Sequence, residues 1–395
     1  MKRLSLALLP CILAIVLAGL FVYPTFAHDA TTSPSTCGKG WSVVSSPNRG
    51  NYNNNSLSAV AAVSANDVWA VGESDETGGV HYKSIGLTEH WNGTAWSIVP
   101  DAGTENTSLT GVAAVATNDV WAVGSFYNKT NQTTYPFIEH WNGTAWSIVT
   151  NPAPANSNLK AVVAISSTDV WTVGDTVQGN SAITLAMHWN GSAWSVVPSP
   201  SMPSAGNYLT GITAVSTSDV WAVGQADKKV KIQSFFEHWD GTDWKIVASP
   251  TKFVGRLPPP VIDYQLVGIA AASSQMVWSV GSVSNDRKFT QNVLIERWDG
   301  TRWTVDPNVN MYGSLYAVSA LSPNDAWAVG YGQNITLILH WNGTTWNVVP
   351  SPNPGPLATV FNAVTGVPGT TQSWVVGFDD GRKNANDKTL TVFYC

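Results

Sequence analysis

The stretches Asp67-Val-Trp-Ala-Val-Gly72 and Glu89-His-Trp-Asn-Gly-Thr-Ala-Trp96 decide the fold, because both return along the whole chain. The first recurs with its tryptophan at 69, 121, 171, 221, 278, 327 and 374, at spacings of 47 to 57 residues. The second gives tryptophan pairs five apart: Trp91/Trp96, Trp141/Trp146, Trp189/Trp194, Trp239/Trp244, Trp298/Trp303 and Trp341/Trp346. With Trp41, these positions account for all 20 tryptophans, so the repeat explains them as core.

Around these anchors each unit reads as four strands. In the first copy they cover 57–63, 68–72, 87–91 and 95–99. Each is short, β-branched or aromatic, and bounded by turn residues. Asn92-Gly93 reads as a two-residue type I′ hairpin, which needs positive φ twice. No segment sustains a helical period. A period near 50 residues with four strands per unit is that of propeller blades. The expectation is an all-β chain: a seven-bladed β-propeller of four-stranded antiparallel blades.

One blade is split. Residues 361–395 supply three strands and then the chain stops. Gly40-Trp41-Ser42-Val43-Val44 matches Thr345-Trp346-Asn347-Val348-Val349, so the N-terminal strand should complete the last blade and remove the edges a linear array would expose. Cys37 and Cys395 then both fall on the register position of Asn342, where the turn is cut. A Cys37–Cys395 disulfide would bridge the cut, worth about 4–5 kcal/mol in the chain-entropy model for so long a loop. Export permits such a bond.

Export is expected from the start of the chain. Lys2 and Arg3 precede an apolar run over 4–22, and Thr25-Phe26-Ala27 offers small residues for cleavage near Ala27. The run is also long enough to span a bilayer, so an uncleaved anchor is the alternative. Residues 28–36 read as a short tether and 37–395 as the propeller, secreted or held at the cell surface. Charged residues are only 12 % and the formal net charge is −6, which argues against nucleic acid and gives no polybasic stretch for an anionic membrane.

The two ends of a blade are treated differently. From the strand-a leucine to the strand-b tryptophan there are 12 residues in six units, as from Leu57 to Trp69. The b–c stretch varies from 10 residues (Gly330 to His340) to 18 (Gly72 to His90), and the inter-blade stretch from 12 (Trp303 to Leu315) to 22 (Trp244 to Leu266). Binding lives on variable loops over a rigid scaffold, so the ligand face is assigned to this end and the channel mouth. The longest insertion, 251–265, carries Phe253, Arg256, three prolines, Asp263 and Tyr264. Arg and Tyr favour contact hot spots. Tyr82, Tyr127, Tyr135 and Tyr331 extend an aromatic rim in the b–c loops or cover blade edges.

Other polar repeats read as structural. His90, His140, His188, His238 and His340 recur one per blade, with Arg297 and Phe393 at the other two positions, and separate blades cannot converge on one transition metal. Asp67, Asp119, Asp169, Asp219 and Asp325, replaced by Met276 and Gln372, are expected to bond local backbone N–H groups. Asp379-Asp380-Gly381 and Asp75-Glu76 are weak calcium candidates. No motif selects a carboxylate pair for hydrolysis, and no GxSxG elbow or phosphate loop occurs, so no catalytic residue, metal or cofactor is assigned. The Asn-Gly-Thr/Ser turns at Asn92, Asn142, Asn190 and Asn342 are formal glycosylation acceptors that turn chemistry explains better.

The DVWAVG and EHWNGTxW repeats resemble those of secreted bacterial propeller proteins, grouped with kelch and galactose-oxidase-like propellers. The Asn-Gly-Thr-x-Trp turn is similar to the Asp-box of sialidases. The resemblance covers Cys37 to Cys395 and implies the fold. The paired glycines of kelch blades are absent, no copper set of His and Tyr is found, and the sialidase arginine triad has no clear counterpart among Arg49, Arg256, Arg287, Arg297, Arg302 and Arg382. Function follows the site and not the fold. The expectation is a non-catalytic, monomeric, extracellular binding module for carbohydrate or another protein. The alternatives are a glycan-active hydrolase or lyase on a propeller scaffold, and a structural cell-envelope protein.

Overall fold

The computed structural model describes residues 40–395 except 51–53, 77–82, 204–205, 228–231, 251–261, 286–289, 310, 333–334, 355–358 and 381–385. The expected signal segment, the tether and Cys37 lie outside the described residues, as do Tyr82, Phe253 and Arg256. Everything regular among the described residues is β-strand. The first complete sheet is β2 (Asn54–Ser64), β3 (Asp67–Glu76), β4 (Lys83–Trp91) and β5 (Trp96–Val99), paired antiparallel in chain order. The same order repeats as β6–β9 over 107–148, β10–β13 over 157–197, β14–β17 over 206–247, β18–β21 over 262–305 and β22–β25 over 314–349. A single parallel bridge, Ala182 to Gly206, joins the third and fourth of these units.

The last sheet is assembled from both ends of the chain. β26 (Thr359–Gly366), β27 (Ser373–Asp379) and β28 (Lys388–Tyr394) follow one another, and β1 (Trp41–Val44) adds to β28. Trp41 stands opposite Tyr394, as Trp341 stands opposite Trp346 in the preceding unit. The split-blade register read from the sequence is therefore the register found.

The core sits between sheets. Trp69 lies 4.9 Å from Trp141 of the next unit and edge-on to Trp146 at 5.2 Å. The contact recurs around the molecule and ends with Trp374 against Trp91 and Trp96 of the first unit. Where the last unit lacks a strand-c tryptophan, Tyr394 and Trp41 pack on Trp327 instead. First strands also touch from unit to unit, and β26 packs on β2. These features define a β-propeller-like architecture, with apolar faces buried between neighbouring sheets.

A bulge in each first strand explains the glycine of the DVWAVG segment. Register shifts between Leu57 and Ala59, which leaves Ser58 as the extra residue opposite Gly72. The Ser56 carbonyl then lies 1.9 Å from where a Cβ on Gly72 would be built. Only glycine admits so close a backbone. Three of the extra residues also tie neighbouring first strands together. Thr110 Oγ1 donates to the Leu159 carbonyl at 2.8 Å, Asn362 Nδ2 to the Leu57 carbonyl at 2.8 Å, and Thr210 Oγ1 to the Leu266 carbonyl at 3.4 Å.

The c–d turn differs from the expected type I′. Gly93 has φ of 92°, while Asn92 is not among the positive-φ residues. The Asn92 Oδ1 accepts from Thr94 N, Thr94 Oγ1 and Ala95 N at 2.7 to 3.0 Å. This carboxamide replaces the second positive-φ residue by satisfying the turn amides directly. Asp240 and Asp299 fill the same role in two units, and those bonds hold the Asp299 carboxyl down at about 2.

Candidate functional site

The strands run further towards the variable end than their apolar pattern suggests. Tyr127 lies on β7 (Asp119–Asn128) and Tyr135 on β8 (Thr133–Trp141), and Tyr331 on β23 (Asp325–Gly332), where loops were expected. The ladder continues from Tyr127–Thr134 to Asn128–Thr133 after the hydrophobic alternation has stopped, because antiparallel backbone pairing does not need apolar side chains. Tyr127 is 41 % exposed, and the Tyr135 hydroxyl accepts from Asn131 Nδ2 at 3.0 Å. The hairpin carries these two tyrosines on opposite faces, since Tyr135 pairs with Phe126 and Tyr127 with Thr134, whereas Tyr331 stands on another sheet.

The expected patch at 251–265 is described only at its end. Asp263 and Tyr264 open β18 (Ile262–Ser273). Asp263 Oδ1 accepts the Ile232 amide at 2.8 Å, so it braces the preceding unit. Tyr264 is half-buried, burial raises its pKa, and its ring lines a cavity of about 510 Å³ with Pro250, Val283, Leu294 and Pro307.

Sequence reasoning named Asp75 and Asp379-Asp380 separately as calcium candidates, and missed Asp387 and the gathering of all four at the seam of the first and last sheets. Asp75, Asp379, Asp380 and Asp387 converge there. Asn54 Nδ2 donates to Asp75 Oδ1 at 2.9 Å, and Asn54 Oδ1 accepts the Asp387 amide at 3.2 Å. Burial, then the neighbouring Asp380 and Asp75, push the Asp387 carboxyl up to about 6. Glu73, on the same strand as Asp75, is also raised, mainly by burial. Asp175 is raised by burial against the pull of Lys160, and Tyr208 by burial and by Asp227. Carboxylates crowded in this way attract cationic groups. Among the described residues no group of three His, Cys, Asp or Glu side chains is placed to hold a metal ion. Gly381 and the Glu76 side chain, part of the calcium candidates, are outside the described residues.

The opposite end carries the His–Asp repeat. The aspartates were expected to bond backbone amides. Instead Asp67 Oδ1 meets His90 Nε2 at 2.8 Å, and His90 stacks on Trp69 with centroids 4.4 Å apart. The pairs His140–Asp119, His188–Asp169, His238–Asp219 and His340–Asp325 repeat this at 2.8 to 2.9 Å. The signal was present in the sequence: the two units without Asp, at Met276 and Gln372, are those without His, at Arg297 and Phe393. In one of them Phe393 takes the histidine's place against Trp374, at 4.8 Å. His90→Phe alone should destabilise by roughly 1–3 kcal/mol, because it strands a buried carboxylate. Adding Asp67→Gln should recover at least about 1 kcal/mol in a double-mutant cycle followed by urea unfolding. Simple additivity would refute the pairing.

The class is thus a β-propeller-like scaffold with uniform turns at one end and a carboxylate-rich, hairpin-bearing opposite end. No family model and no curated protein matches the chain. Solved structures do. YCF48 bound to a D1 peptide aligns with TM-score 0.55 and 13 % identity over 92 % of this chain and 99 % of that one. YCF48 from Cyanidioschyzon merolae aligns with TM-score 0.54 and 13 % identity over 90 % and 99 %. At such identity the likeness is one of fold.

Proposed function

We propose that the chain is an exported, seven-bladed propeller whose variable end binds a basic segment of another protein, without catalysis. The observation that carries this reading is the gathering of Asp75, Asp379, Asp380 and Asp387 at the variable end of the seam. The YCF48 structure with a D1 peptide supports a protein ligand by analogy of fold. Export, and a Cys37 bond to Cys395 at the end of β28, belong to the same reading, since the bond would secure the split sheet.

The test sets the protein against arrays of Lys/Arg-rich peptides, neutral peptides and glycans. Retention of basic peptides is expected, weakened roughly tenfold or more by Asp75→Asn with Asp379→Asn and by added salt. Binding confined to glycans, or indifferent to the two substitutions, would overturn the reading.

A further inference from the structure

Four strand-c glutamates, Glu89, Glu139, Glu237 and Glu296, are fully buried, each in the residue before the HW or RW pair. Burying a carboxyl is costly unless it is hydrogen-bonded or neutral. Three of them find a donor on the link leaving the preceding sheet. Glu139 Oε2 accepts the Ala102 amide at 2.8 Å, Glu237 Oε2 the Ser199 hydroxyl at 2.7 Å, and Glu296 Oε1 the Ser249 hydroxyl at 2.9 Å. Ser199 and Ser249 each lie five residues after the strand-d tryptophan of their unit.

Glu89 differs. Neither of its oxygens has a partner. The sheet that precedes it is the one closed by β1, and Ser46 lies five residues after Trp41, at the position of those donors. The Ser46 hydroxyl is instead 2.8 Å from Thr389 Oγ1. Glu89 alternates along β4 with Leu87 and Trp91, which pack with Val44, Ala363, Val367, Trp374, Val376 and Phe393 of the terminal sheet. Its cross-strand neighbours are Ala70 and Ile98.

The charged groups on the surrounding elements are engaged or distant. Arg49 bonds the Gly86 carbonyl and Asp101, Lys83 pairs with Glu105, and His90 with Asp67. Glu73 and Asp75 on β3, and Asp379 and Lys388 on β27 and β28, lie at the variable end of their strands. None of these contributes to the raised pKa of Glu89, which burial alone accounts for.

We propose that the seam beside Glu89 is a proton-operated latch: while Glu89 is neutral the N-terminal strand β1 stays paired to β28, and losing that proton to solvent releases β1. β1 is the element that yields because it pairs through four residues only, on one side; a Cys37–Cys395 bond would tether its start, so release means that Trp41 to Val44 lift from β28 while the strand stays attached. Releasing it brings water to the carboxylate. The closed state holds the proton up to about 8 and the open state only to about 4.5, so opening should rise up to tenfold per pH unit between roughly 5 and 8, then level.

Hydrogen exchange of the intact protein at pH 5.5 to 9, corrected for intrinsic rates, reads this directly. The β1 amides that bond β28, every second one along Trp41 to Val44, should lose protection roughly 50-fold between pH 6 and pH 8, ahead of the strands in other sheets. Glu89→Gln should abolish the rise, whereas Glu237→Gln should leave it in place. Because Met187 and Leu339 occupy the equivalent position in other units, Glu89→Met provides a second variant that keeps the packing. The proposal falls if protection of these β1 amides in the unaltered protein is independent of pH, or if Glu89→Gln and Glu89→Met open as the unaltered protein does. Should neither variant fold, the pH dependence of the unaltered protein decides.

Discussion

Raising the pH from 5 to 8 is expected to lower the unfolding free energy by several kcal/mol, the reverse of the usual gain in this range. Glu89, Glu139 and Glu237 are each raised to about 8, with burial as the largest cause. In the unfolded chain they titrate near 4.5. Below that value both states are protonated and pH has no effect through these groups. Between 4.5 and 8 the unfolded chain has lost protons that the folded one keeps, so each unit of pH favours unfolding. One such group would contribute at most roughly 1 kcal/mol per unit, and the three together several kcal/mol over the window. Above 8 the effect is spent. Acid works oppositely on Asp299, whose stabilising bonds are lost as pH falls through about 2. Urea midpoints at pH 5, 6.5 and 8 check the prediction, with Glu139→Gln and Glu237→Gln each flattening the profile. A midpoint that rises or stays constant over this window would show that water reaches these carboxylates.

These glutamates also show where the sequence could be read and where it could not. The repeat made the sheets legible, because seven copies report one arrangement and their tryptophans leave no residue to a competing core. The strand ends were not legible, since polar residues such as Thr133 and Asn128 continue a ladder without any apolar alternation. A glutamate beside a histidine reads as surface. Comparison between units corrects that: the position holds Met187, Leu339 and Val392 elsewhere, and a place that accepts those side chains is a buried one. The His–Asp pair was open to the same comparison. The carboxylates at the seam were not, because Asp75 and Asp387 stand at opposite ends of the chain, on segments that differ from copy to copy and offer no internal alignment. The lesson is physical: repetition reports packing, which every unit shares, and is silent on the places where one unit departs from the rest.

Gly124→Ala is expected to destabilise the fold by roughly 3 kcal/mol or more, although it adds one methyl group. Gly124 stands opposite Leu109, where the register shift leaves Thr110 as the extra residue. A Cβ there would lie 1.9 Å from the Ser108 carbonyl oxygen, far inside van der Waals contact, and the obstruction is backbone that no rotamer can move. Relief needs the bulge itself to shift. That would displace the Thr110 hydroxyl from the Leu159 carbonyl of the next unit and so weaken the contact between sheets as well. Gly224→Ala should cost less, since its nearest backbone atom, the Tyr208 carbonyl oxygen, would be 2.6 Å away. Gly50→Ala, with nothing within 4 Å, should stay within about 0.5 kcal/mol of the parent. Urea unfolding of the three variants gives the ranking. If Gly124→Ala were as benign as Gly50→Ala, the bulge would be plastic and the glycine of each DVWAVG segment would need an explanation other than the approach of one strand's carbonyl to its neighbour.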